Sequence, residues 1–228
     1  MKVVPYLEEL LFEPPDIGSV LSLPGLPGAG ARIYDRSPYG NHGTIVGATW
    51  KRLPSGLWGL AGGGDDYVNC GTGASLDLWT SSVTLLQWYK MTVALAWQYL
   101  VSRNYKYALG KNDADLPRAY FTDSGGVSHI AQSGEALLIN TFYFLAAVYD
   151  RDNAASGTKI LVNGILKATD TTNGNLESTA ESLYIGVSSA ALGDGFKGQI
   201  FLPRVISSAL TGAQLLNIFN QERHLFGV

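Results

Sequence analysis

Residues 142–149 read Phe-Tyr-Phe-Leu-Ala-Ala-Val-Tyr, an apolar run at odd and even positions alike. A strand places successive side chains on opposite faces, so a run of this kind belongs to a strand covered above and below. It predicts a central strand of a layered β protein. Ten residues on, "KILVNGILKAT" (Lys159–Thr169) sets Asn163-Gly164 between two further apolar runs. Asn-Gly supplies the two positive φ angles of a two-residue type I′ hairpin turn, so this segment predicts a tight hairpin beside the central strand.

The pattern extends outward in both directions. Short runs rich in Val, Ile, Thr and aromatics alternate with Gly/Asn/Asp/Ser clusters, and the chain holds 27 glycines, which is the signature of many strands joined by turns. Strands are predicted over 19–23, 43–49, 67–70, 83–90, 106–110, 119–122, 136–139, 142–149, 158–162, 165–169, 182–187 and 198–206. One helix is predicted near the end, where Thr211 and Gln214 form a capping box and Leu215, Ile218 and Phe219 share a face opposite Glu222 and Arg223. His224 falls near its C-terminus, where it suits the helix dipole.

A chain of 228 residues fits one all-β domain, and no polar linker divides it. The domain is expected over 19–228, preceded by an N-terminal arm over 1–18 that combines an apolar patch with "EPPD", a proline pair favouring extended backbone. A net charge of −3 with interspersed signs offers no basic face to a phosphate backbone, so no nucleic-acid partner is expected. Glu8, Glu9 and Glu13 interrupt the N-terminus, and no Sec signal peptide is read there. No apolar run is long enough to span a bilayer as a helix, so no membrane insertion is expected. Cys70 is the sole cysteine, which excludes an intrachain disulfide and reads as a small buried residue.

Five ordered pieces, "YDRSPYGNHGTIVGATW", "GGGDDYVNCGTGASLDLWTSSVTLLQWYK", "FYFLAAVYD" with "KILVNGILKA", "SLYIG" and "FKGQIFLPRVISSALTGAQL", resemble the laminin-G-like jelly-roll family of the concanavalin A-like lectin/glucanase fold, over roughly Ser19 to Phe219. The resemblance implies a two-sheet antiparallel jelly-roll sandwich with one concave side. It makes the segment around Asp35, Ser37, Pro38, Gly40, Asn41, His42 and Gly43 the corner after the first strand. Those residue types cap and turn backbone on their own account, so a structural corner is the preferred reading.

The candidate sites follow from chemistry. Asp65 and Asp66 on a glycine-rich loop, with Asp35 or Asn41 nearby, offer oxygen ligands of the kind calcium takes, and the resemblance implies that some relatives hold calcium at a sheet rim. The competing reading has them cap the turn, and it leaves the protein with no cofactor. Tyr105, Tyr107 and Tyr120, with Asn112, Asp113 and Arg118, form a candidate sugar platform, because a ring presents apolar surface to a pyranose while polar groups satisfy its hydroxyls. Core packing accounts for tyrosines equally well. The glucanases of the resembled family carry alternating acids on one strand; here "TLLQWYK" holds Gln87 and Trp88 instead, and Glu177 and Glu181 lie beside a turn. No nucleophile elbow accompanies the histidines.

The sequence therefore predicts a non-enzymatic protein that binds or assembles. Apolar outward positions in "GQIFLPR" (Gly198–Arg204) point to burial under the N-terminal arm or a second subunit. The leading expectation is a virion-associated or other extracellular surface-assembly component, with subunits of a particle or a homo-oligomer as partners. The alternative is a carbohydrate-binding lectin module, calcium-assisted or not, with a glycan partner. A glycoside hydrolase is the least favoured.

Overall fold

In a computed structural model of the protein, which describes residues 18–26, 30–94, 96–189 and 194–228, Phe142–Tyr149 is a strand whose two faces enter two different cores. Of the expected arm, all but Gly18 lies outside the described residues. In chain order the strands are β1 (Ser19–Ser22), β2 (Arg32–Ile33), β3 (Gly43–Val46), β4 (Thr49–Arg52), β5 (Trp58–Gly63), β6 (Tyr67–Asn69), β7 (Val83–Met91) and β8 (Gln98–Arg103). They continue with β9 (Tyr107–Lys111), β10 (Pro117–Thr122), β11 (Ser128–Gln132), β12 (Phe142–Tyr149), β13 (Thr158–Val162), β14 (Ile165–Asp170), β15 (Tyr184–Ile185) and β16 (Lys197–Ile206), before helix α1 (Gly212–Glu222).

The back sheet runs β14-β13-β12-β7-β16-β5-β4, with β1 also paired to β16, and the front sheet runs β11-β10-β9-β8-β15-β6-β3-β2. The protein is an all-β, two-sheet antiparallel jelly-roll sandwich with one short C-terminal helix, as the sequence predicts. Leu85, Tyr89, Leu145, Ala147 and Ile160 of the back sheet meet Val101, Leu109, Ala119, Phe121 and Ile185 of the front sheet between the layers. Asn163 and Gly164 turn the β13–β14 hairpin with φ of 53° and 75°, and Phe144 N donates to Asn163 Oδ1 at 2.9 Å, so the turn also locks onto β12.

The second core lies behind the back sheet. Leu86 and Trp88 of β7, Phe144, Ala146 and Val148 of β12, and Phe201 of β16 pack against Leu210, Leu215, Phe219, Leu225 and Phe226 of the C-terminal segment. Thr211 caps α1 with both halves of the capping box formed, and beyond the helix the Phe226 ring stacks on Trp88 at 4.0 Å. The apolar outward side of β16 is thus covered by the chain's own C-terminus, which corrects the expectation of an arm or a second subunit there.

Glu222 corrects a second expectation. It faces inward rather than opposite Leu215 and Phe219: its Oε2 accepts from Trp88 Nε1 at 2.7 Å, and its Oε1 lies 2.7 Å from Arg204 Nη2. Both ends of the ion pair are buried. The helix face is therefore apolar except where one carboxylate satisfies two buried donors.

Other differences have local causes. Ala136–Ile139, expected as a strand, is a loop in which Leu137 is buried and its N–H donates to Asp115 O. The segment 91–102, where no strand is predicted, is half strand, because β8 begins at Gln98. Its Gln98 accepts a short hydrogen bond from Tyr89 Oη inside the sandwich. β5 was hidden by its glycines: a Cβ at Gly59 would meet Phe201 at 2.3 Å and one at Gly62 would meet Phe196 at 2.4 Å. These glycines admit rings rather than turn the chain. Among the described residues no helix is long and apolar enough to cross a membrane.

Two outcomes test this packing. Glu222→Ala strands Arg204 without its carboxylate and leaves Trp88 Nε1 unmet, so urea unfolding is expected to lose about 3–5 kcal/mol. The second concerns alkali. Burial pushes Tyr89 and Tyr107 above their ordinary value of 10.0, with Asp115 adding to the rise at Tyr89 and Arg103 opposing it at Tyr107. A raised folded value means that stability is fully present below pH 10 and falls above it, as the unfolded chain releases the protons first. Tyrosinate absorbance should then rise cooperatively with loss of circular dichroism.

Candidate functional site

The corner segment is a hydrogen-bond hub. Asp35 is buried; its Oδ1 accepts from Ser22 N at 2.8 Å and Ser37 N at 2.9 Å, and its Oδ2 accepts from Ser37 Oγ at 2.6 Å and Asn41 N at 2.7 Å. Asn41 Nδ2 donates to Val20 O and Ser75 Oγ, each at 2.8 Å, and His42 Nδ1 accepts from Asp35 N at 3.1 Å. Every polar group here serves to fasten β1 to the front sheet. The segment turns a corner and presents no free carboxylate.

Asp66 likewise serves its own turn, its Oδ2 accepting from Gly63 N at 2.6 Å, while Asp65 points to solvent. Asp35 has its oxygens filled as described. Among the described residues no three His, Cys, Asp or Glu side chains come together to hold a metal ion. The donor set expected for calcium is not assembled.

The sugar-platform candidates are divided by the front sheet. Tyr107 points inward, 2 % exposed, with its Oη donating to Leu76 O at 2.7 Å; it is a core residue and cannot touch a surface ligand. Asn112 caps the β9–β10 turn, its Oδ1 accepting from Ala114 N and Leu116 N, each at 3.0 Å, and Asp113 is exposed on that turn. Tyr105, Arg118 and Tyr120 do come together, on the outer face.

Strand register explains how. One row across the outer face reads Tyr99, Gly110, Arg118, Gln132, and the next reads Tyr184, Ser102, Ala108, Tyr120, Ile130. The small residues Gly110, Ser102 and Ala108 in these rows are buried. Tyr105 reaches this face from the β8–β9 turn, where Asn104 and Tyr105 hold φ of 44° and 60° and Lys106 N donates to Arg103 O at 2.9 Å. This is a type I′ turn with tyrosine where glycine is least strained; a bulky residue at positive φ costs about 1–2 kcal/mol. In return the Tyr105 ring lies edge-on between Tyr99 at 5.4 Å and Tyr120 at 6.2 Å, and its Oη donates to Asp194 Oδ2 at 3.3 Å.

Trp97 extends the face at 40 % exposure, and the Arg118 guanidinium lies 4.9 Å from its ring centre and 5.8 Å from that of Tyr120. Buried bonds fix the loop that carries it. Lys111 Nζ donates to Ala96 O at 2.6 Å and to Asp115 Oδ1 at 2.5 Å, while Gln98 Nε2 donates to Val93 O at 3.0 Å. Burial lowers the Lys111 value, opposed by Asp115. At Tyr99, burial raises the phenol to about 12, with Tyr105 adding and Arg118 opposing, so that ring is neutral at ordinary pH. The assembled face is a rigid aromatic platform with one acid and one base.

Sequence reasoning missed Trp97, Tyr99 and Asp194 as members of this face. The first two lie where no strand is predicted, although β8 begins at Gln98. Asp194 reaches the face through the β15–β16 connection, where its carbonyl accepts from Tyr99 N at 2.9 Å and its Oδ1 from Ser188 N at 3.2 Å. No local pattern announces that return.

The layered sheets agree with the result of comparison: a family model described as the concanavalin A-like lectin/glucanases superfamily, of the laminin-G type, matches residues 62–216. The chain belongs to this superfamily. Among curated proteins no sequence matches. The structure is similar to the receptor-binding domain of botulinum neurotoxin D, with a TM-score of 0.64 and 16% identity, covering 92% of this chain and 54% of that one. It is similar to domain 4 of AbnA, an extracellular arabinanase of Geobacillus stearothermophilus solved with arabinotriose, with a TM-score of 0.62 and 17% identity over 81% of this chain and 91% of that one. The binding domain of Paraclostridial Mosquitocidal Protein 1 gives a TM-score of 0.65 at 14% identity, covering 89% and 52%. The chain spans about half the length of the two toxin domains. At these identities the likeness is one of fold.

Face and core residues should separate in stability measurements. Tyr105→Gly removes ring contacts but relieves the turn, so its unfolding free energy is expected to stay within about 1 kcal/mol of the parent. Tyr107→Ala empties a core position and should lose about 3–5 kcal/mol. Urea denaturation followed by tryptophan fluorescence reads both.

Proposed function

We propose that this protein is a non-catalytic carbohydrate-binding module of the jelly-roll type, and that its ligand lies across the outer face of the front sheet. The observation that carries the reading is Tyr105, held at positive φ so that its ring completes the run from Tyr99 to Tyr120. Backbone strain kept for a surface ring has no use in packing the sandwich, and strain of this kind concentrates where ligands bind. Trp97 and the tyrosines supply apolar faces for the C–H side of a sugar ring, and Asp194, Arg118, Tyr120 Oη and Ser128 Oγ offer the surrounding polar contacts. The arabinanase domain of similar fold was solved with arabinotriose, and a botulinum neurotoxin type C of similar fold enters cells through two ganglioside molecules; both support a saccharide ligand here.

A glycan array followed by titration calorimetry tests this. Binding to at least one saccharide class is expected, with Trp97→Ala and Tyr105→Gly each weakening it by roughly tenfold or more. Silence on every saccharide, or binding that both variants leave intact, overturns the reading.

Assembly into a surface particle is the second reading, and one observation favours it. The strand β14 exposes Ile165 and Leu166, at 59% and 50%, beside a backbone edge that no strand among the described residues pairs, and edges of this kind invite pairing with another chain. Light scattering should then show an oligomer that Ile165→Lys converts to monomer; a monomeric parent protein removes this reading.

A further inference from the structure

Beside the Trp97–Tyr120 cluster the outer face carries a cation that, among the described residues, no carboxylate meets. The buried cations Lys111 and Arg204 each meet a carboxylate, Asp115 and Glu222, and the other arginine of the neighbouring strands, Arg103, points inward and donates to Thr179 O at 2.8 Å. Arg118 differs in facing the surface. Like Nε and Nη1 of Arg103, its Nε is closed off from water without a hydrogen-bond partner, and among the described residues no carboxylate or carbonyl takes its guanidinium. The Trp97 and Tyr120 rings hold it instead, at 4.9 and 5.8 Å. Asp194, the acid on the same face, is already engaged by Tyr105 Oη and Ser188 N, so it does not neutralise Arg118.

An arginine fixed between two aromatic rings is preorganised: the rings limit its rotamers and attract its charge without occupying its N–H groups. The terminal edge of the guanidinium then offers two parallel donors with the spacing of a carboxylate. A neutral sugar leaves that fork half used. A saccharide bearing a carboxylate fills it while its ring lies on the neighbouring aromatic surface.

We propose that the ligand of this face is an acidic saccharide, a uronic acid unit whose carboxylate pairs with Arg118 while Trp97 and Tyr120 flank the sugar ring. The proposal rests on the carbohydrate-binding reading and narrows it to one class. A sulfated sugar presents related oxyanion chemistry on a tetrahedral group, and the experiment separates the two.

Calorimetry on the intact protein compares oligogalacturonate, its fully methyl-esterified form, a neutral galactose oligomer and a sulfated galactose oligomer. The acid form is expected to bind roughly tenfold or more tighter than its ester, in line with a charge-assisted bidentate contact, with the sulfated oligomer between them and with affinity falling as salt rises. Arg118→Gln should collapse acid and ester to the same affinity, and Arg118→Lys, which keeps charge but not the fork, should recover only part of the difference. Equal binding of acid and ester by the parent protein overturns the proposal and leaves the carbohydrate reading standing. Preference for the sulfated oligomer over the uronate also overturns it. Failure of every saccharide on the glycan array removes both together. The acid–ester comparison uses the parent protein alone, so misfolding of a variant does not blunt the test.

Discussion

The back sheet is apolar on both faces, and that constraint arranges the rest of the molecule. β7 and β12 send Leu85, Tyr89, Leu145 and Ala147 into the sandwich and Leu86, Trp88, Phe144 and Val148 out of it. Left bare, the outer set would be an exposed hydrophobic patch of the kind that soluble domains rarely tolerate. The C-terminal segment covers it, with Phe219 and Phe226 stacked on Trp88 and the Glu222 carboxylate meeting Arg204. Buried ion pairs add little net stability but fix one geometry, since any other position of the helix strands two charges. Both faces of the back layer are thereby closed, and on the outer side of the front sheet the half-buried or exposed side chains include those of Trp97, Tyr105, Arg118 and Tyr120, above buried strand residues.

That open face is built with different rules. Its strands carry Ser102, Ala108 and Gly110 where a structural sheet surface would favour β-branched residues, and the rings enter from loops: Trp97 from the β7–β8 connection and Tyr105 from the β8–β9 turn. Each loop is fastened from beneath by buried polar groups, Lys111 on Ala96 and Asp115, Gln98 on Tyr89 and Val93, Thr122 on the Tyr105 carbonyl. Such anchors give loop residues the positional precision of strand residues. The local conflict at Tyr105 is a departure from sequence–structure agreement that this chain also makes at Leu202, at φ 49° in the core behind the back sheet.

How much of this was legible depends on the range of the interaction. The Phe142–Tyr149 run, the Asn163-Gly164 turn and the Thr211–Gln214 capping box act over a few residues, and each appears where the pattern places it. The corner at Asp35–Gly43 was also readable, because Asp, Ser, Asn and Gly have intrinsic turn chemistry that needs no partner elsewhere. β5 was not, since its glycines answer to Phe196 and Phe201 from distant strands. Glu222 was misplaced for the same reason: an amphipathic pattern assigns acids to water, and only the fold brings Arg204 and Trp88 beneath that helix. The site was half visible. Tyr105, Arg118 and Tyr120 were named from chemistry, but Tyr107, at the same alternation in the same segment, belongs to the core, because the turn at Asn104-Tyr105 reverses which face the parity addresses.

The rigidity of the platform bears on how it can discriminate. A surface already ordered by buried hydrogen bonds loses little conformational entropy on binding, so weak contacts are not swamped by an ordering penalty. Aromatic stacking alone is nonetheless indifferent among sugars that share an apolar C–H face. Discrimination on such a surface must come from the polar groups at its margin, and these are unequal. Asp194 is held by Tyr105 and Ser188, and Tyr120 Oη by Ser128, so a ligand that engages them only exchanges one partner for another. Among the described residues Arg118 has no hydrogen-bond partner to surrender, and a contact that replaces nothing but water carries the larger share of the difference between ligands.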